Sequence, residues 1–269
     1  MNNTFEKILD KNRWIRIAYN NLKTSKSYNN KTDLIVQNYL NKYVDDSRIN
    51  IENIPQIYFK FTNQYSNHIR KYIESDLYPF EYEKLIELNR CDYDIILILS
   101  IILSEHRHII FSKLLSYSKK NNSKNLLIGI GSGIELEFLD LNTINTTVYD
   151  LEISPLLKSY FSNINLKEYR FTGQEKNIDI IYAIELLEHL HDPYEFLEDA
   201  KKSLNNGGEI CCTTVTNVPQ FDHLQKFKGD EFEKKIKTIG LRIKEKQIIK
   251  HNSIDKKLDA YNTWYILKK

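Results

Sequence analysis

Glycine is scarce in this chain, with 8 in 269 residues, and residues 1 to about 120 contain none. That first stretch also has only two prolines, Pro55 and Pro79, and so lacks the usual turn punctuation and predicts helices. Three cysteines (Cys91, Cys211 and Cys212) make no metal-binding spacing, which excludes a zinc module or a disulfide scaffold and predicts reduced thiols in a cytoplasmic protein. The longest apolar run, Ile95 to Leu103, is far too short to span a bilayer, and Met1 to Arg16 holds no apolar leader segment, so neither membrane nor export is expected. A net charge of only +2 demands no anionic partner. No basic, aromatic-interleaved stripe marks a nucleic-acid surface. There is no internal repeat, and 41% hydrophobic content suffices for a core.

In the first 119 residues, Phe5-Ile8-Leu9, Trp14-Ile15-Ala18-Tyr19-Leu22, Leu34-Ile35-Asn38-Tyr39 and Tyr82-Leu85-Ile86-Leu88 fit helical spacing. Tyr93 to Leu115 reads as one helix, apolar almost all round and therefore buried. From Asn125 onward strands and helices alternate, the pattern of a parallel α/β sheet. Strands are expected at 126–128, 146–152, 164–171, 178–184, 209–215, 241–249 and 260–268, with helices at 194–204 and 229–240. The expected organisation is a helical extension over 1–119 and an α/β domain over 120–269. Ligands in such sheets bind beyond the strand C-termini, so the extension is expected to cap that edge and supply a substrate pocket.

Three of the eight glycines, Gly129, Gly131 and Gly133, alternate just after the apolar run Leu126-Leu127-Ile128. Glycine permits positive φ and close backbone approach, so the turn lets main-chain N–H groups face a ligand. The spacing is not that of a dinucleotide fingerprint, whose third glycine would fall at Ile134. About 20 residues beyond the turn, Glu152 ends the next strand, where an acid accepts hydrogen bonds from ribose hydroxyls; Asp150 is the alternative.

Leu126 to Leu139, Tyr149 to Pro155, Ile178 to His189 and Leu204 to Ile210 resemble, in order and spacing, the motifs of class I S-adenosylmethionine-dependent methyltransferases. The resemblance covers about residues 120–269. It implies a Rossmann-like seven-stranded sheet with an antiparallel last strand, and S-adenosylmethionine as cofactor. The methionine moiety would lie along Gly129, Gly131 and Gly133, its amino group near Ala183, and the ribose on Glu152. Two departures stand out. Leu127 occupies the place of the family's acid before the first glycine, and Tyr169 to Gln174 offers no acid for the adenine amine, which leaves that role to Tyr169 or the backbone.

Glu185, Glu188 and His189 fall at i, i+3 and i+4, one face of a helix. With His223 they form a ligand set for Mg²⁺ or another divalent ion, similar to that of ubiquinone-pathway and RNA 3′-terminal O-methyltransferases. Such an ion would position an acceptor oxygen; without it, His189 or His223 would serve as general base. His106 and His108 read as packing or surface histidines. The expectation is an O-methyltransferase for a small hydroxylated metabolite, sugar-like or catechol-like. An RNA 2′-O-methyltransferase and a non-catalytic cofactor-binding protein are the alternatives.

Overall fold

The computed structural model describes residues 4–75, 88–117, 123–139, 145–220, 222–252 and 258–269. The chain divides into two compact units. One comprises Met1–Lys119, Gly131–Asp140 and Pro219–Phe221; the other comprises Lys120–Ile130, Leu141–Val218 and Asp222–Lys269.

The first unit is helical: α1 (Thr4–Lys11), α2 (Arg13–Lys23), α3 (Asn30–Ser47), α4 (Ile54–Ser75), α5 (Arg90–Leu103), α6 (Glu105–Tyr117) and the single turn α7 (Glu135–Phe138). Asparagine supplies the punctuation that glycine and proline do not. The side chains of Asn12, Asn29 and Asn89 accept backbone N–H groups at the starts of α2, α3 and α5, each cap contributing about 1 kcal/mol. Phe5, Ile8, Leu40, Tyr43, Ile95, Ile98 and Leu99 are among the fully buried core residues, and Phe111 meets Phe138 of α7 edge to face.

Two expectations change here. Tyr93 to Leu115 is not one helix but two, α5 and α6, bent by 89° at an extended Ser104. The Ser104 N–H closes α5 onto Ser100, while its carbonyl opens α6 by accepting from His108. The break seats His108 in the interior, where Nε2 accepts the Asn29 N–H at 2.9 Å and the ring stacks on Tyr28. Burial holds its pKa below the ordinary imidazole value. On α3 the buried face runs through Asp33, Val36, Leu40 and Tyr43, and Leu34 is 55% exposed. Asp33 turns inward because Tyr19, Tyr28 and Gln37 all donate to its carboxylate, which satisfies a group too costly to bury alone. The helix expected around Tyr82, Leu85 and Ile86 lies outside the described residues. No single described helix is long and apolar enough to cross a membrane.

The second unit is a seven-stranded sheet: β1 (Asn125–Ile128), β2 (Thr146–Asp150), β3 (Asn165–Glu168), β4 (Ile178–Ala183), β5 (Leu204–Thr216), β6 (Arg242–Lys250) and β7 (Tyr261–Lys268). The order is β3-β2-β1-β4-β5-β7-β6. Strands β1 to β5 are parallel, and β7 runs antiparallel between β5 and β6, which confirms the expected α/β architecture and its antiparallel last strand. Helices α8 (Pro155–Tyr160), α9 (Pro193–Ser203) and α10 (Gly229–Ile239) complete the unit. β1 and β4 are apolar apart from Asn125 and Asp179, as parallel strands covered on both faces tend to be. Phe196, Leu197 and Ala200 of α9 and Phe232 and Ile236 of α10 bury against Ile181, Ile210, Tyr265 and Leu267 of the sheet. Cys211 and Cys212 are buried within β5 and Cys91 is half-buried on α5, and none of the three is in a disulfide.

Three strand ends differ from expectation. β2 stops at Asp150, leaving Glu152 in the following turn. β3 is shorter and ends on Glu168. β5 begins at Leu204, and its register opposite β4 jumps from Leu204 to Glu209, so residues 205–208 bulge out. Chain progression reverses direction at β1, which lies between β2 and β4. Open α/β sheets present their ligand crevice at the C-terminal ends of strands flanking such a switch.

Candidate functional site

At the end of β1, Gly129, Gly131 and Gly133 all adopt left-handed backbone, with φ of 70°, 47° and 76°. A side chain at Gly129 would place its Cβ 2.7 Å from Cδ1 of Leu186, which follows β4. The turn is tied to β2: Gly129 N–H donates to the Tyr149 carbonyl and Ile130 N–H to Asp150 Oδ2, both at 2.8 Å. Asp150 Oδ1 accepts the Glu152 N–H at 3.1 Å. Asp150 is thus a brace between the glycine turn and the β2 turn, whereas the Glu152 side chain is exposed. Ser132, inside the turn, is 1% exposed, and its hydroxyl has no hydrogen-bond partner. A buried hydroxyl left so is costly unless a ligand completes it.

The third strand does end in an acid. Glu168 accepts the Ile153 N–H at 3.1 Å and pairs with Lys158 at 2.6 Å, and these contacts lower its pKa, Lys158 most of all. Tyr169, next in the chain, is half exposed and meets Tyr149 edge-on. The Tyr149 hydroxyl and Glu175 hold the Lys167 ammonium at 3.0 and 2.5 Å.

Beyond β4, Ala183 is fully buried and the backbone turns sharply. Glu185 takes a left-handed φ of 50°, and only Leu187–His189 wind, as a 3-10 turn. Glu185, Glu188 and His189 therefore do not share a helical face. The Glu185 N–H donates to Thr213 Oγ1 at 2.7 Å, and its Oε1 accepts from Thr213 Oγ1 at 2.9 Å and Asn262 Nδ2 at 2.7 Å. His251 bonds Asn262 from behind. A non-glycine residue with positive φ costs about 1–3 kcal/mol, and two hydrogen bonds to a carboxylate, about 1.5–3 kcal/mol each, offset that strain. Glu185 is committed to the sheet.

Glu188, His189 and His223 do converge, each offering one ligand atom within 4.8 Å of the others. The loop carrying His223 is fastened to the 3-10 turn by its backbone: Leu224 N–H and Gln225 N–H donate to the Glu188 carbonyl at 2.7 and 3.2 Å. His189 Nδ1 lies 3.0 Å from the Asp222 carbonyl and His223 Nδ1 2.9 Å from the Val218 carbonyl. Donation at Nδ1 in both rings leaves both Nε2 atoms as lone-pair donors, the arrangement that orients metal-ligating histidines. Glu188 is 2% exposed, and its Oε2 lacks a hydrogen-bond partner. Burial, then the Glu185 charge, pushes its pKa up to about 8. Burial lowers His223 to about 4. Burial also disfavours charged His189, but Asp222 and Glu188 outweigh it and raise its pKa overall; the Asp222 carboxylate is 3.6 Å from Nδ1.

Of the residues expected at the site, the structure gathers Glu188, His189 and His223, and leaves Glu185 hydrogen-bonded beside them. Sequence reading gave no role to Asp222, whose place next to His223 was its only signal, nor to Ser132, Thr213 and Asn262, whose partners come from distant strands or helices.

A family model described as a methyltransferase domain matches residues 103–246. No curated protein matches the chain. The cyclopropane synthase MmaA2 from Mycobacterium tuberculosis is similar in structure, with a TM-score of 0.50 at 13% identity over 62% of this chain and 85% of that one. The N-methyltransferase NodS from Bradyrhizobium japonicum WM9, in complex with S-adenosyl-L-homocysteine, gives 0.49 at 18% identity over 61% and 87%.

Proposed function

The chain belongs to the methyltransferase-domain family and is an S-adenosylmethionine-dependent methyltransferase; from that premise we propose that it methylates a hydroxyl of a small metabolite, sugar-like or catechol-like, with a divalent cation held by Glu188, His189 and His223. The observation that carries the proposal is the convergence of those three side chains around a buried, unpartnered Glu188 oxygen.

The residues present fit the cofactor: left-handed backbone at Gly129, Gly131 and Gly133 that lets the turn face a ligand, and an orphaned hydroxyl at Ser132. Gly129, Gly131 and Gly133 would hold its methionine end, with Ala183 near the amino group and Glu152 on the ribose hydroxyls. When bound, it supplies a methyl group already activated as a sulfonium. The chain has then to align an acceptor oxygen and move its proton.

The donor set also fits a cation. With Glu185 taken up by Thr213 and Asn262, one carboxylate and two imidazoles remain, a set better suited to Mn²⁺, Fe²⁺ or Zn²⁺ than to Mg²⁺. A cation there would supply Lewis-acid charge beside the acceptor oxygen. His223, kept neutral by burial, is suited to ligation and not to accepting a proton. His189 favours a second reading without metal, because Asp222 stabilises its charged form and makes Nε2 a fitting general base.

Elemental analysis separates the two. Protein purified without chelator is expected to carry about one divalent ion per chain, and protein stripped with EDTA to rebind Mn²⁺ while its affinity for S-adenosylhomocysteine stays within about twofold. Metal-free protein whose turnover resists chelator would overturn the cation and leave His189 as the base.

A further inference from the structure

Two successive carbonyls of the glycine turn, those of Gly131 and Ser132, lie in the first unit and accept from that unit's own helices. The Arg90 guanidinium donates to the Gly131 carbonyl at 2.6 Å, and the Tyr39 hydroxyl donates to the Ser132 carbonyl at 2.6 Å. Arg90 is itself fixed, its Nε donating at 3.0 Å to Asp94 one turn further along α5. The other Asp94 oxygen accepts the Tyr43 hydroxyl at 2.6 Å. Tyr39 and Tyr43 are likewise one turn apart, on one face of α3. Two i,i+4 pairs on two helices therefore meet at one short piece of backbone.

Asp94 is completely buried, and a buried ion pair is on average no more stabilising than an apolar pair of the same volume. What this pair provides that an apolar pair would not is direction: a planar guanidinium pinned by Asp94 and aimed at one carbonyl. We infer that Arg90, Asp94, Tyr43 and Tyr39 are positioning residues that set the glycine-turn backbone to receive the amino-acid end of the cofactor. The peptides of the turn are trans, and in a trans peptide the carbonyl and the following N–H point opposite ways. Turning the Gly131 and Ser132 carbonyls toward the helices directs the Ser132 and Gly133 N–H groups away from them. The left-handed φ of Gly131 and Gly133 permits that orientation, and the unpartnered Ser132 hydroxyl belongs to the same segment.

This inference rests on the reading that the glycine turn holds the cofactor, and two ligands test it separately from that reading. S-adenosylhomocysteine carries the amino-acid tail; 5′-methylthioadenosine has the same nucleoside without it. In calorimetric titrations, Arg90→Met and Tyr39→Phe are each expected to weaken S-adenosylhomocysteine about tenfold, or ~1.4 kcal/mol, while 5′-methylthioadenosine changes by less than about twofold. Arg90→Lys, which keeps a donor and the charge, is expected to fall between. Tyr39→Phe removes a single oxygen, so it guards against a variant that merely fails to fold. Unchanged S-adenosylhomocysteine affinity in both Arg90→Met and Tyr39→Phe would overturn the inference, as would equal weakening of the two ligands, the mark of a purely structural role. Glu152→Ala is expected to weaken both ligands, since both carry the ribose; if it affects neither, the site reading fails and takes this inference with it.

Discussion

Replacing Gly131 by valine is expected to abolish measurable binding of S-adenosylhomocysteine. At φ +47° a β-branched residue is strained wherever space exists, and a left-handed conformation costs roughly 1–2 kcal/mol even for unbranched side chains. The added Cβ would also stand 3.0 Å from Leu97 Cδ1. Leucine can shift by a few tenths of an ångström, so backbone strain and not the clash decides the outcome. Relief by rotation of the 131–132 peptide would withdraw the Gly131 carbonyl from Arg90 and turn the Ser132 N–H away. Calorimetric titration checks this, with thermal unfolding establishing that the variant is folded. Near-wild-type affinity in folded Gly131→Val would remove the glycine turn from the cofactor site.

The second large effect is expected at the acidic–imidazole cluster. Glu188→Gln and His223→Ala should each lower turnover roughly 10²–10⁴-fold, about the worth of the acceptor-proton transfer that a cation held by these ligands would assist, and should abolish Mn²⁺ rebinding by stripped protein. Glu185→Gln should leave Mn²⁺ binding in place, because Glu185 already serves Thr213 and Asn262. Stability measurements separate function from folding. Burial raises the Glu188 pKa and opposes its charge, so replacing it with a neutral amide should not lower the denaturation midpoint of metal-free protein. Loss of Mn²⁺ binding in Glu185→Gln but not in Glu188→Gln would reverse this assignment.

The sheet was legible in the sequence because its signals are local: apolar stretches at β1 and β4, the alternating glycines after β1, and Asp192-Pro193 opening α9, where the Asp192 carboxylate accepts two backbone N–H groups. The misread features depend on partners distant in sequence. Helical spacing placed Glu185, Glu188 and His189 on one face, but Thr213 and Asn262, 28 and 77 residues away, hold Glu185 in a left-handed turn. Leu34 fitted the helical spacing of a buried face, yet it is exposed while Asp33 turns inward to Tyr19, Tyr28 and Gln37. The bend at Ser104 carries no glycine or proline to announce it. Asparagines at 12, 29 and 89 start helices, a capping role that helical spacing of apolar residues does not reveal. Arg90 was invisible because its role is a contact with a carbonyl 41 residues on.

The central claim is that this methyltransferase modifies a hydroxyl through the Glu188, His189 and His223 cluster. Incubating the full chain with S-adenosylmethionine carrying a deuterated methyl group and a panel of polyhydroxylated sugars and catechols, followed by mass analysis of the products, tests it most directly. The account predicts a product in which one deuterated methyl sits on oxygen, and no such product from His223→Ala. A methyl group found on nitrogen or carbon, or an O-methylated product made equally well by His223→Ala, would contradict it.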